Sequence, residues 1–504
     1  MGRNFLDIYE FGTKGDGIHD DTFALQKALN ESSQSGLALY FSPGIFSVGE
    51  LIVPPETVLI GEPKWGFSSE KIGNTVLKQR FENQECVLDV SGASGSTING
   101  MSVQGLGKGR ACNGILSRKP DPGKHEDAYR IERTKVSGFT DHAVKLMNVW
   151  CFSIRHSMFA FSGGDGLHMQ GYDGFISDNW FSGNRGCGFG TEDTNCSVTM
   201  TGNRIEWNGN GGIVVRGGSQ YNITGNYIDR SGKEGIALIP GNEKGRSIFC
   251  NTISCAGNVI YRSGKSAGSE NSAHIRMEKC VGVTVENCTV WRVSRWGIAV
   301  GYTYQHQKFS GVELDEETFR KYGHENIIIR NCYVSQAGGD AITPMYSLEP
   351  LTEHNIADSC AKEMNDSVYR HPEDRMGKVA AAIWPWKCKN ARFCYNEVTD
   401  TRLNQDGMAY DADSGDGTLY EYNYSRSNEG GCIMFCMEEA VHNIFRKNIS
   451  YDDLGGLISP ACNPDALVTE NEFHMRREVP LIRESMQDGT VTLKNNKIII
   501  LNGE

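Results

Sequence analysis

The feature that most restricts the fold is an internal repeat. VTMTGNRIEWNGNGGIVV (198–215) and YNITGNYIDRSGKEGIAL (221–238) share one plan: apolar alternation, Gly-Asn, a short strand, a polar turn, then Gly and another alternating strand. The same plan is legible at 174–190, 283–300, 327–342, 393–410, 419–435 and 444–459. A reference Asn marks the register at Asn179, Asn203, Asn226, Asn258, Asn287, Asn331, Asn396, Asn423, Asn448, Asn471 and Asn496, with His156 in that place one coil earlier. Most steps are 22–29 residues. Strands of three to five residues cannot bury a face alone, but stacked as coils they share one continuous core. Neither a Leu-rich consensus nor a helical period is present, so an all-β parallel β-helix is expected. Recurrent Asn at one corner predicts a side-chain amide ladder, a structural role without chemistry.

Two steps are long: 44 residues from Asn287 to Asn331 and 65 from Asn331 to Asn396. The excess predicts insertions at about 302–325 and 346–376. Both leave the solenoid after the same strand, so both are expected to wall a cleft on one side. Residues 1–84 read as an N-terminal cap with the first coils, and 85–504 as the β-helix proper. Within the cap, a strand and a Gly turn lead to a helix capped by Asp20 or Asp21, with Phe23, Leu25 and Leu29 as its apolar face. Such a helix would cover the open end of the stack.

The opening FLDIYEFGTKGDGIHDDTFALQKAL (5–29) resembles that of the pectate-lyase-3 / polygalacturonase-like superfamily: a strand, FGAxGDG, then DDTxAxQxA on a helix. Phe11, Gly12, Gly15, Asp16, Gly17, Asp20, Asp21, Thr22, Ala24, Gln26 and Ala28 carry the match. The resemblance implies a right-handed parallel β-helix acting on carbohydrate. That superfamily holds hydrolases, lyases, fructan-cyclising transferases and tailspike depolymerases, so membership leaves the chemistry open. It also allows a homo-oligomer, a trimer included. NQDG (404–407) resembles the hydrolase NTDG motif and puts Asp406 at its Asp. The next coil reads NEGGC (428–432), with Gly430 and Gly431 where that branch has an Asp pair. Its GHG and RIK motifs have no equivalent, so its mechanism is not transferred.

Strand alternation decides which side chains face outward. In DGMAYDAD, Met408, Tyr410 and Ala412 point in and leave Asp411 and Asp413 out; in AAIWPW, Trp384 and Trp386 point out; in SAHIRME, His274, Arg276 and Glu278 do. Residues two apart on a strand lie about 7 Å apart and adjacent coils about 4.8 Å. Asp411 and Asp413 are therefore spaced as the carboxylate pairs of glycoside hydrolysis are. Trp384 and Trp386, one rung away, suit stacking on a sugar ring. Asp406 and Glu429 enter successive strands at the same edge. The candidate catalytic residues are Asp411, Asp413 and Asp406. The candidate substrate contacts are Trp384, Trp386, Glu429, Arg276, Glu278 and His274. His168, Arg216 and Asp340 read as ordinary surface residues.

The function expected is a glycoside hydrolase or related glycosyl transferase. A polysaccharide lyase would instead need a base and cations beside a uronate, and a carbohydrate-binding solenoid would need the Trp pair alone. No metal is required, although DADSGD (411–416) would be a Ca²⁺ site if its acids serve as ligands. Composition excludes other classes. With a net charge of −12 and no Lys/Arg-rich run, non-specific nucleic-acid binding is not expected. No apolar run approaches the ~20 residues of a membrane span. The 16 Cys are scattered without a CxxC pair, which predicts buried free thiols in a reducing compartment. The start shows no secretory signal, so a cytoplasmic location is expected, or a secreted one if a leader precedes it.

Overall fold

A computed structural model describes residues 5–501 except 69–71, 265–272, 302, 313, 362–378, 404 and 484–487. The short strands stack in parallel register from coil to coil, as in Phe5–Asp7 on Ala38–Tyr40 and Arg392–Cys394 on Leu419–Glu421. The chain is a parallel β-helix of two units, Met1–Ser231 with Gly241–Ile248, and Gly232–Pro240 with Phe249–Glu504.

Helix α1 (Thr22–Ser35) buries Leu25, Ala28, Leu29 and Ser32. Phe23 was expected on that face, yet it is 84% exposed. It sits in the first turn, ahead of the stripe that begins at Leu25. Asp21 is the N-cap residue by position but makes no side-chain cap bond. Its carboxylate instead accepts the amides of Lys14 (2.7 Å) and Gly15 (3.1 Å), tying the Gly turn to the helix. Asp20 accepts the Thr22 amide at 3.0 Å. Gln26 covers strand Leu51–Ile52 as an edge must be covered: its amide donates to the Ile52 carbonyl and accepts the Ile52 N–H, both at 2.9 Å.

A ladder of amides runs inside each unit. In the first, the backbone N–H of Ser157, Asn179 and Asn203 donates to the side-chain oxygen of Asn179, Asn203 and Asn226 in turn. In the second, the ladder passes through Asn355, Asn396, Asn423, Asn448, Asn471 and Asn496. A second ladder joins Ser162, Asn184 and Asn208, and another joins Thr401, Asn428 and the buried Asp453.

Three expected positions of the register shift by one residue. His156, Asn287 and Asn331 have φ of 51°, 54° and 52° and occupy the left-handed corner just before the ladder. Ser157, Cys288 and Cys332 hold the rung itself, and the Cys332 amide donates to Asn355 at 2.9 Å. Asn tolerates that corner conformation, so it reads as a rung in sequence. Asn355 belongs to a coil that was expected within the second insertion. Ser347–Leu348, Leu351–Glu353 and Ile356–Asp358 are strands of two or three residues interrupted by Pro350. They stack on the preceding coil. Most of the remainder, 362–376, lies outside the described residues.

No disulfide joins the cysteines among the described residues; eleven are buried, four half-buried, and Cys462 is exposed. The corrected register makes a prediction. Asn423→Ala removes a side chain that donates to Phe393 and Asn448 and accepts from Asn396. At about 1–3 kcal/mol per buried group left unpaired, equilibrium denaturation should show a loss of ~2 kcal/mol or more. Asn331→Gly, at an exposed left-handed corner, should cost less than ~1 kcal/mol. Equal losses would reject this assignment of the rungs.

Candidate active site

The second unit carries a partly open cavity of about 610 Å³. Its floor is a stack of strands in register through Ile298, Ile342, Ile383, Tyr410, Ile433 and Ile458, whose inward side chains fill the core. The alternating residues face the cavity. Asp411 and Asp413 come from strand Met408–Asp413. Trp386 pairs with Asp413 across one rung, and the same 27-residue offset sets Trp384 beside Asp411. Met434 and Cys436 line the next rung.

Asp406 enters from the turn before this strand. Gly407 there has φ +68°, the left-handed region that favours glycine, and a Cβ would press on Arg402 O and Leu403 Cα at 3.0 Å. Arg483 holds the turn by donating to the carbonyls of Asp406 (3.2 Å) and Gln405 (3.3 Å). In the following coil, a Cβ on Gly430 would lie 1.9 Å from the Asp406 carbonyl oxygen. That contact explains why glycine occupies the place where the resemblance has an Asp. Asn404 of the same motif lies outside the described residues.

The insertion at 302–325 contains α2 (Thr303–Phe309) and α3 (Glu316–Tyr322). Phe309 and Phe319 pack in one apolar cluster with Trp296, Met345, Tyr346 and Trp386. Trp386 is consequently only 8% exposed, flanked by Tyr346 and His306. Trp384 is half-buried, and its indole N–H donates to Asp340 at 2.8 Å.

Burial governs the charge of the site. Desolvation, and then the charge of Asp413, lifts Asp406 to about 7, against a lowering by Arg483. Desolvation also lifts Asp413 to about 7, opposed by the Ser414 hydroxyl and by Lys387. Asp411 is pushed well above the usual carboxylate range by burial and then by both neighbours. It is 3% exposed, and its Oδ1 has no hydrogen-bond partner among the described residues.

The other sequence candidates lie elsewhere. Arg276 is bound by Glu234 (2.6 Å) and by Glu278, an internal ion network away from the cavity lining. His274 was expected to face outward but is completely buried, its Nε2 donating to the Trp291 carbonyl at 3.0 Å. It follows Ala273, which pairs with Trp296, so it shares its register with Gly297. At Gly297 a Cβ would meet Val334 at 2.5 Å; the position is an inward corner, and simple alternation fails there. Glu429 is held by Arg402 and the Leu403 amide and does not line the cavity.

Asp340, expected at the surface, is buried in the cavity wall. Arg295 and Trp296 also line it and were not anticipated. Their signal was available: Trp296, Asp340 and Ala381 all stand two residues before the inward Ile of consecutive coils. Arg216 is exposed, whereas His168 bridges Asp165 (2.8 Å) and Glu192 (3.0 Å).

Two described clusters could bring metal ligands together: Asp411, Asp413 and Cys436, and His142, Asp165 and His168. The first is a poor fit for Ca²⁺, which takes six to eight oxygen ligands: it offers only two carboxyls and a thiol, whose soft sulfur does not suit a hard cation. In the second, His142 Nδ1 already accepts the Asp165 amide at 2.8 Å, and both nitrogens of His168 are engaged.

The profile of the family described as "Rhamnogalacturonase A/epimerase, pectate lyase-like" matches residues 5–237. A lacto-N-biosidase of Bifidobacterium longum subsp. longum is 36% identical over 310 residues, which are 56% of this chain and 19% of that protein. The chain thus spans about a fifth of that relative. The crystal structure of the GH136 lacto-N-biosidase from Eubacterium ramulus is 31% identical, with 99% of this chain and 68% of that one covered and a TM-score of 0.47. The catalytic unit of a GH87 α-1,3-glucanase from Streptomyces thermodiastaticus, at 14% identity, covers 79% of this chain and 66% of its own with a TM-score of 0.50; it shares the fold. The chain belongs to the pectate lyase-like superfamily of parallel β-helix carbohydrate-active proteins and, on its sequence identity and coverage, to the GH136 family within it.

The buried acid at the cavity floor predicts a sign. A carboxyl raised on folding contributes stability that is full below its unfolded value, about 3.9, and is lost as pH rises through the folded one. Asp411→Asn abolishes that dependence. Its melting temperature should approach the wild type's near pH ~5 and exceed it increasingly toward pH ~8. A gap that stays constant across this range would contradict the neutral, buried state of Asp411.

Proposed function

We propose that this chain is a glycoside hydrolase with lacto-N-biosidase activity, cleaving an oligosaccharide within the cavity of the second unit. The observation that carries the reading is one partly open site lined by Asp406, Asp411 and Asp413 beside the indoles of Trp296 and Trp384, in a chain that belongs to GH136. The relatives named as lacto-N-biosidases support the substrate. A lyase is disfavoured because Arg295 is the only cationic side chain among the described lining residues, and no Lys, His or Tyr accompanies it.

The environments divide the roles. Asp413 has a hydroxyl donor and a lysine that favour its charge, and we assign it as the nucleophile or base at the anomeric carbon. Its charge helps hold the proton on Asp406. A general acid is most effective with a pKa near the working pH, since it must release its proton and regain it. Asp406, at about 7, meets that condition. Asp411, raised much further, keeps its proton and acts as a hydrogen-bond donor at the floor. Asp406 and Asp413 then titrate as a unit, and the rate should trace a bell centred near pH ~7.

The test uses p-nitrophenyl lacto-N-bioside. Wild type should release p-nitrophenol together with a saturated sugar. Asp406→Asn and Asp413→Asn should each lose about a thousandfold or more in kcat while remaining folded, and Asp411→Asn should lose less. Near-normal turnover in both mutants would remove these roles. Loss of activity with chelator and recovery with Ca²⁺ would turn the acids into ligands, and an absorbing unsaturated product would establish a lyase.

A further inference from the structure

Asp340 lies outside the reacting carboxylates, yet it touches both walls of the cavity. Its Oδ2 accepts the Trp296 indole N–H at 2.7 Å. Its Oδ1 accepts the Trp384 indole N–H at 2.8 Å and the Ala381 amide at 3.2 Å. The two tryptophans come from coils on either side of the one that supplies Asp340. An indole N–H can only donate, so joining two of them needs an acceptor on both sides, which a carboxylate provides. Ordinary packing of two indoles would need no buried acid, and burying one is costly unless it is hydrogen-bonded. Arg295, stacked 3.8 Å over the Trp296 ring, supplies a favourable charge. The acids facing Asp340 across the cavity are Asp406 and Asp411.

We infer that Asp340 is a positioning residue for substrate: a carboxylate clasp that ties the half-buried Trp384 indole to the buried Trp296 indole, 2% exposed, and so presets Trp384 as a platform for a sugar ring. The inference rests on the hydrolase reading only for what the platform binds. The clasp itself exists in the sugar-free protein. Trp384 is half-buried and belongs to a coil whose preceding segment, 362–378, is outside the described residues, so the clasp is its principal described polar anchor. Holding the ring before the ligand arrives spares the ordering cost on binding, which places the effect of Asp340 on affinity rather than on the chemical step.

Asp340→Asn retains size but presents an amide NH₂ on one side, donor against donor, so one indole must be released. Trp384→Phe retains an aromatic ring and removes its N–H. On p-nitrophenyl lacto-N-bioside, each variant should raise KM by about tenfold, with kcat within about threefold of wild type. The double variant should fall well short of the product of the single effects, because both substitutions weaken one clasp. Near-UV circular dichroism of the sugar-free protein should change in Asp340→Asn, whatever the substrate proves to be. If wild type fails to cleave the bioside, the function is wrong and the dichroism still tests the clasp. A folded Asp340→Asn with wild-type dichroism and unchanged KM overturns the inference. So does a double variant whose two effects multiply in full, or one in which kcat falls and KM does not move. Should Asp340→Asn fail to fold, Trp384→Phe decides alone: an unchanged KM overturns the clasp.

Discussion

Every other feature of this protein depends on the inside corner of the coil, where an amide meets the amide of the next turn. A strand of three residues has too few backbone bonds to fix its own register. The Asn side chain adds two more on each step, one to the following rung and one to a carbonyl of the preceding coil, as Asn423 does with Asn448 and Phe393. Each rung therefore fixes the height of its neighbours. That fixed height is what lets Trp386 and Asp413, separated by 27 residues in sequence, stand on adjacent rungs.

On this regular frame the site works by contrast of environment. Four aspartates surround one cavity, and burial lifts three of them toward neutrality: Asp340 to about 6, and Asp406 and Asp413 to about 7. The fourth, Asp411, is driven further because it has both a sealed position and two acidic neighbours. Identical side chains thus hold different proton occupancies. Asp340 faces indole donors and Arg295, Asp413 faces Ser414 and Lys387, and Asp411 faces chiefly other acids.

Much of the fold was legible because its signals are local and repeated: the Asn corner, the Gly turn before α1, and the alternation that put Asp411, Asp413 and Trp384 toward one side. The errors came where one residue type serves two positions. Asn at a left-handed corner and Asn on a rung look alike, which displaced the register at Asn287 and Asn331 and hid the coil of Asn355. His274 failed for a similar reason, since a corner position does not obey two-residue alternation. Asp340 and Trp296 were missed because their meaning lies in contact between coils 44 residues apart, visible only after the rungs are aligned. The three-dimensional arrangement also separated the Arg276 network from the cavity, a distinction that outward orientation alone does not make.

The closeness of Gly430 to the Asp406 carbonyl carries a consequence for descent. The hydrolase pattern that the 404–407 motif resembles has acids on that coil, whereas this chain has its cavity-lining acids on the turn and strand before it, and a simple exchange of residues does not join the two. Any side chain at 430 first requires the 405–407 turn to retreat, and that turn is pinned by Arg483. Substitutions between the two arrangements are thus ordered: the anchor has to loosen before the glycine can change. A carboxylate introduced at 430 would therefore act on Asp406, through the turn they share, before it could act on anything bound in the cavity.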